Sequence, residues 1–390
     1  MDKNEVKDLR SGVNQIGVRA LNERLVMSLI QRHGGMPGSE LAKRTDLSAQ
    51  TVSNILRKLE ADGFVRRGEP QRGKVGKPSI PMEINPDGAL TFGLKIGRRT
   101  ADLAVMNLAG DVLGQTIVTY RYPMPDLIFA YLRDGMAELS EALSPAQRAR
   151  ICGIGIAAPS EIWSWTDALG APEDFEIWRD IDFAEEIAKF SDLPLFTEND
   201  GTAACRAEYV FGRGRAFHDY AYFFIGSFIG GGIVLDSKVI EGRQRNAGSL
   251  GSLSVPNGDG KECALLDVAS LYLLEAAVAK AGGDRDKMWT MPQDWSSFGA
   301  CLDDWIATSA KALAHAARTV VSVIDFDAVM IDGAFPDDVR TRLVAQTRLE
   351  FERLDLRGIC APRIEPARVG GNARVIGAAA SPILSQFFLN

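Results

Sequence analysis

The sequence predicts an α/β body of two related lobes behind a small helical head. Three observations carry this. Lys and Arg outnumber Asp and Glu by 15 to 9 over residues 1–80, whereas the rest of the chain holds 29 against 42. Apolar residues recur at helical spacing in the head, then give way to short strand-like runs broken by glycine turns. One strand–turn–strand unit occurs twice, beginning near residues 91 and 220.

The 390 residues suit two or three domains, and 46% hydrophobic with 24% charged residues is the balance of a globular protein with substantial cores. No apolar run approaches eighteen residues, and MDKNEVKDLR lacks the apolar stretch of a signal peptide, so no membrane partner and a cytoplasmic location are expected. Five scattered cysteines read as free thiols, and three histidines supply a zinc site poorly.

The head opens with a helix over 18–33 carrying Val18, Leu21, Leu25 and Leu29, stopped by Gly34-Gly35. Ser39 is placed to cap a short second helix ending near Thr45, and Ser48 a third. In the third, Val52, Ile55, Leu56 and Leu59 define a buried face. Its other face shows Gln50, Thr51, Ser53, Asn54, Arg57 and Lys58, side chains that hydrogen-bond base edges and phosphates. A strand over 64–67, a loop over 69–78 bearing Arg72, Lys74 and Lys77, and a returning strand over 80–84 complete a winged helix-turn-helix. Double-stranded DNA is the expected partner. A winged helix used as a protein contact has the same local pattern.

In the body, TFGLKIG, TADLAVMNL and DVLGQTIVTY read as three strands followed by a helix over 126–143. The second unit reads YAYFFIG, a glycine turn SFIGGG, then IVLDSKVIEG, with helices over 263–280 and 303–324. Between the units, ICGIGIAAPS and LPLFTENDG read as buried strands joined through a helix over 183–190. They end in Pro159-Ser160 and Glu198-Asn199-Asp200, and the carboxyl ends of such strands are where α/β folds hold ligands. Trp163, Trp165 and Trp178 follow the first of them, as core or as a face for sugar C–H groups. A late strand over 328–335 and a closing helix over 373–387 finish the chain.

The chain resembles ROK-family transcriptional regulators along nearly its whole length. The stretches are SAQTVSNILRKLEADGFVRR with GKPSI, GIGIAAPS, FTENDGTAACRAEYVFGRG, IGSFIGGGIVLDSKVIEG, NAGSLGSLSV, LLDVASLYLL and GNARVIGAAASPIL. The resemblance implies a winged helix-turn-helix over 1–86 and a two-lobed actin-like (ribonuclease H-like) sugar-kinase fold. Its lobes would be 87–200 plus 373–390, and 201–372. It also implies a homodimer or tetramer, hence a palindromic operator.

Family kinases place an acidic residue and small residues in the first phosphate loop, where this chain has Lys95 and Gly97-Arg98-Arg99-Thr100. The second loop, Gly-Thr-Gly-Ile-Gly in the family, is Gly226-Ser227-Phe228-Ile229-Gly230. Asn199 and Asp200 match the family's sugar-binding pair, with Asp as general base in kinases. Ser249 and Ser252 stand where a Glu and a His follow, and Leu266 where a further Glu falls. The CxCGxxGCxE zinc motif is replaced by PNGDGKECALLD, with only Cys263 nearby. The expectation is therefore a DNA-binding regulator, a repressor of carbohydrate genes, with no catalytic residues, no metal and no cofactor. Ser160, Asn199, Asp200, Ser249 and Ser252 would hold a sugar or sugar-derived effector through hydrogen bonds. An active kinase with a DNA-binding head, and a regulator indifferent to any effector, are the alternatives.

Overall fold

The computed structural model describes residues 15–70, 79–160, 162–165 and 172–389. Arg72, Lys74 and Lys77 lie outside the described residues. The chain forms two compact units, Met1–Ala89 with Ile383–Asn390, and Leu90–Pro382.

In the first unit, helices α1 (Gln15–His33), α2 (Gly38–Thr45) and α3 (Ala49–Ala61) precede strands β1 (Val65–Arg67) and β2 (Met82–Ile84). The strands pair antiparallel, Val65 facing Ile84. The core is made by Val26, Met27 and Ile30 of α1, Leu41 of α2, and Val52, Ile55, Leu56 and Leu59 of α3. Val18 and Leu21 are exposed, so the buried stripe of α1 is rotated from the expected one. An apolar helix offers more than one such stripe, and spacing alone does not choose between them. Ser39 lies within α2 and caps nothing; Pro37 precedes that helix. Residues 383–389 also belong to this unit, seven residues that the reading above assigned to the body. Arg24 donates from Nε to the Phe388 carbonyl at 2.7 Å, Ser28 Oγ accepts from Leu389 N at 2.8 Å, and the Phe387 ring lies 4.9 Å from Phe64.

The second unit contains two five-stranded sheets of the same design. The first, in order β5-β4-β3-β6-β7, uses β3 (Leu90–Ile96), β4 (Thr100–Asn107), β5 (Val112–Thr119), β6 (Ile151–Ala158) and β7 (Leu195–Asn199). The second, β10-β9-β8-β13-β14, uses β8 (Tyr220–Ile225), β9 (Ile229–Leu235), β10 (Lys238–Ile240), β13 (Ala328–Gly333) and β14 (Arg363–Pro366). Each sheet pairs its first three strands antiparallel and adds two parallel strands. A small hairpin, β11 (Ser254–Pro256) with β12 (Glu262–Ala264), stands apart. The repeat read from the sequence is thus a repeat of topology.

Two boundaries differ from the reading. Gly230, Gly231 and Gly232 are not a turn; they run inside β9, paired with β8. Two of them need to be glycine: a Cβ at Gly231 would lie 2.2 Å from the Tyr222 carbonyl oxygen, and one at Gly232 2.4 Å from Cys205 Cβ. The helix expected over 263–280 is broken into Leu266–Ala269 and Leu271–Lys280, with Cys263 in β12. Buried Ser270 marks the break: its hydroxyl accepts from Ile229 N at 3.0 Å and its carbonyl from Trp305 Nε1 at 3.2 Å. Helix Asp337–Glu352 and strand β14 had no sequence signal, since buried Arg340 and Thr347 interrupt the apolar pattern of that helix.

Candidate functional site

The third helix of the head carries an exposed polar face. Ser48 caps α3, accepting from Thr51 N at 3.0 Å, and the four apolar residues of α3 turn inward. Gln50, Ser53, Asn54 and Arg57 are left exposed. Gln50 Nε2 donates to Asn54 Oδ1 at 3.1 Å, and Arg57 Nη2 donates to the same oxygen, so amides and guanidinium form one row. Thr51 is half-buried, its hydroxyl 2.8 Å from that of Ser48. Lys58 is occupied otherwise: its ammonium pairs with Glu23 of α1 at 2.5 Å and lies 3.7 Å from Asp62.

In the body, a cleft of about 610 Å³ gathers Ser160, Asn199, Asp200, Ser249 and Ser252, every effector residue read from the sequence. That is the size range of a small-molecule site. β6 and β7 deliver the first three from their carboxyl ends. Asn199 Oδ1 caps helix Asp200–Phe211, accepting from Gly201 N at 2.9 Å and Thr202 N at 3.3 Å. That leaves its amide to donate to Ser160 Oγ at 3.0 Å, which in turn donates to Asn246 Oδ1 at 3.1 Å. Ser249 Oγ donates to the Asn246 carbonyl at 3.0 Å. Gln244 and Asn246 also line the cleft and had no signal in the sequence.

Arg374 was missed as well. It stands in the first turn of the closing helix Ala373–Phe387 and lines the cleft. Its Nη1 pairs with Asp200 Oδ2 at 3.1 Å, and its guanidinium lies 4.8 Å from the Phe224 ring centroid. A lone cation among the small residues of GNARVIGAA was the available signal. Trp163 and Trp178 do not line this cleft. Trp178 is buried beside Phe129 and Phe183 and donates to the Pro123 carbonyl at 2.6 Å; Trp163 packs on the same core. The side chain of Trp165 lies outside the described residues.

The phosphate-loop hairpin is filled by its own side chains. Lys95 and Asp102 face each other across β3 and β4, Nζ to Oδ2 2.9 Å, both nearly buried. Nζ also reaches Thr100 Oγ1 at 2.6 Å and the Thr100 carbonyl at 3.2 Å. Burial lowers the Lys95 pKa, with Asp102 pulling it back up. Arg98 pairs with Glu275 at 3.2 Å, and Arg99 with Asp286 at 3.3 Å and Glu275 at 3.7 Å. In the second loop the Phe228 ring lies 5.3 Å from Tyr272. Among the described residues no group of three or more His, Cys, Asp or Glu could hold a metal, and no helix is long and apolar enough to cross a membrane.

Residues 91–382 match the ROK family model, and residues 20–74 match that of the MarR family. The xylose repressor of Bacillus subtilis is 22% identical over 70% of this chain and 71% of its own. The DNA-binding transcriptional dual regulator NagC of Escherichia coli is 22% identical over 81% and 77%. Among solved structures, a ROK family transcriptional regulator described as a homologue of the E. coli MLC protein aligns with TM-score 0.67 at 20% identity, over 95% of this chain and 97% of that one. A ROK family glucokinase from Streptomyces griseus, solved with glucose and AMPPNP, aligns with TM-score 0.57 at 20% identity over 75% and 98%. These two likenesses concern the fold; the family match spans most of the sequence, and the chain belongs to the ROK family.

Proposed function

We propose that this protein is a DNA-binding transcriptional regulator, acting as a repressor, whose kinase-derived body holds a small polyhydroxylated effector and transfers no phosphate. The observation that carries the reading is the Lys95–Asp102 pair, which fills the first phosphate loop with a buried ion pair of the protein's own. A metal–triphosphate needs an open, anionic coordination point there. The exposed Gln50–Asn54–Arg57 row on a capped helix supports DNA reading, as does similarity to one relative named a xylose repressor and another named a DNA-binding transcriptional dual regulator. Arg72, Lys74 and Lys77 are proposed phosphate contacts of the wing. Lys58, paired with Glu23, is proposed to brace α3 rather than to touch DNA. Assembly as a dimer or tetramer on a palindromic site is part of the proposal.

Genome-wide mapping of bound sites followed by footprinting tests the first half. Symmetric protected sites are expected, with protection lost or strengthened when an effector is added. Coupled-enzyme assays for ADP release with a sugar panel test the second half. Turnover on the ordinary kinase scale of roughly 1–100 s⁻¹ would establish the enzyme instead.

A further inference from the structure

The body cleft is lined by two guanidinium groups and one carboxylate, and by no other charged residue among those described. Arg98 shares Glu275 outside the cleft. Arg374 is 8% exposed, yet the hydrogen bond it makes among the described residues is the one from Nη1 to Asp200. Its Nε is buried with no acceptor. A guanidinium has five N–H donors in a planar fork, and a buried one is normally satisfied by two or more acceptors. Leaving it so poorly matched costs stability unless the site is completed by something else. The fork lies over the Phe224 ring and beside Gly226, where a Cβ would come within 3.4 Å of both Nη atoms. The hydroxyl-binding side of the cleft is neutral: Ser160, Asn199, Asn246, Ser249 and Ser252 offer alcohols and amides only.

From this we infer that the effector is a polyol carrying an oxyanion, and that Arg374 is the residue selecting for it. The inference rests on the reading of the cleft as an effector site. The neutral side chains take hydroxyl groups, and the anion docks on the unused edge of the Arg374 fork, the geometry that suits carboxylate and phosphate. Asp200 then holds Arg374 in place from the other edge and, as a like charge beside the anion, opposes its binding. That gives Asp200 a role opposite to the one a neutral sugar would demand. For a neutral sugar it accepts a hydroxyl and its loss weakens binding; for an anion its loss removes a like charge and strengthens binding.

Calorimetry on the full chain tests this with pentoses, hexoses and amino sugars. Each is offered as the neutral sugar, as its phosphate ester and as its aldonic or uronic acid, with inorganic phosphate alone as the bare anion. At least one anionic form is expected to bind ten times or more tighter than its neutral parent, and the phosphate and acid arms identify which oxyanion fits. Asp200→Asn is expected to tighten that anionic ligand about tenfold. Arg374→Gln should reduce it to the level of the neutral parent, and Arg374→Lys should retain part of the preference. Asp200→Asn keeps the test decisive if Arg374→Gln does not fold. Neutral sugars binding as well as or better than their anions, or Asp200→Asn weakening the anion, would overturn the inference and leave the effector-responsive regulator standing. Binding of no sugar in any form would overturn both.

Discussion

Lys95 and Asp102 place opposite charges face to face across β3 and β4, with Thr100 closing the ammonium from a third side. Removing one member strands a buried charge. Lys95→Met is expected to cost about 3–5 kcal/mol in urea denaturation, whereas Lys95→Met combined with Asp102→Leu should recover most of it. A large loss in the double variant as well would show that packing, rather than charge, is at stake. Asp332 makes a second residue-scale prediction. It is fully buried at the end of β13, beside Arg340 at 3.2 Å and accepting from Tyr222 Oη at 3.0 Å, and burial pushes its carboxyl up to about 6. A folded-state value above the unfolded one means the folded form holds the proton longer. Its contribution to stability is therefore full below about pH 4 and declines as the pH rises to about 6, by on the order of 2 kcal/mol. Asp332→Asn should remove that slope from denaturation midpoints measured between pH 4 and 6, even if stability falls throughout. Lys95 stood out in the sequence as a charge in the wrong place, but its partner did not. Equal counting outward from the Gly97–Thr100 turn pairs 95 with 102, which was the available route to it. Arg374 was hidden differently: its partner Asp200 lies 174 residues away, and no local pattern links the two.

At the scale of single elements, the recognition helix was the most legible. Cap, apolar spacing and polar face all point the same way in α3, because a short amphipathic helix is specified locally. Asn54→Ala is expected to cost about 1–3 kcal/mol in operator affinity and to relax one base position, read by footprinting across operator variants. The closing helix was legible as a helix but not as a packing device. Its small residues let backbone meet backbone. A Cβ at Gly155 of β6 would lie 1.8 Å from the Ala378 carbonyl oxygen, and one at Gly93 of β3 2.3 Å from Ala379 N. Thr91 Oγ1 donates to the Ala379 carbonyl at 2.6 Å along the same seam. Gly155→Ala should therefore destabilise the body by about 3 kcal/mol or more, since neither strand nor helix backbone can move aside cheaply. A melting temperature unchanged by this substitution would contradict the seam. Composition alone could not reveal it, because a glycine needed for close approach and a glycine needed for a turn look alike in a sequence; Gly231 and Gly232 were misread for that reason.

For the molecule as a whole, the doubled order of strands was readable, because each unit announces itself by the same run of strand, glycine and strand. Membership of the last residues was not. Nothing local in Phe387-Phe388-Leu389 says that they pack on α1 and beside Phe64. The contacts with α1 join positions 361 to 364 residues apart. Removing residues 383–390 is expected to weaken operator binding at least tenfold while leaving sugar binding by the body intact, measured by footprinting and calorimetry on the same preparation. Loss of both would mean that the segment supports the body instead. The arrangement also sets an order of events during synthesis. A ribosome releases the three helices of the head early, but the residues that finish their packing emerge only after the whole two-sheet body has been made, so a nascent chain stalled midway would carry an incompletely packed head.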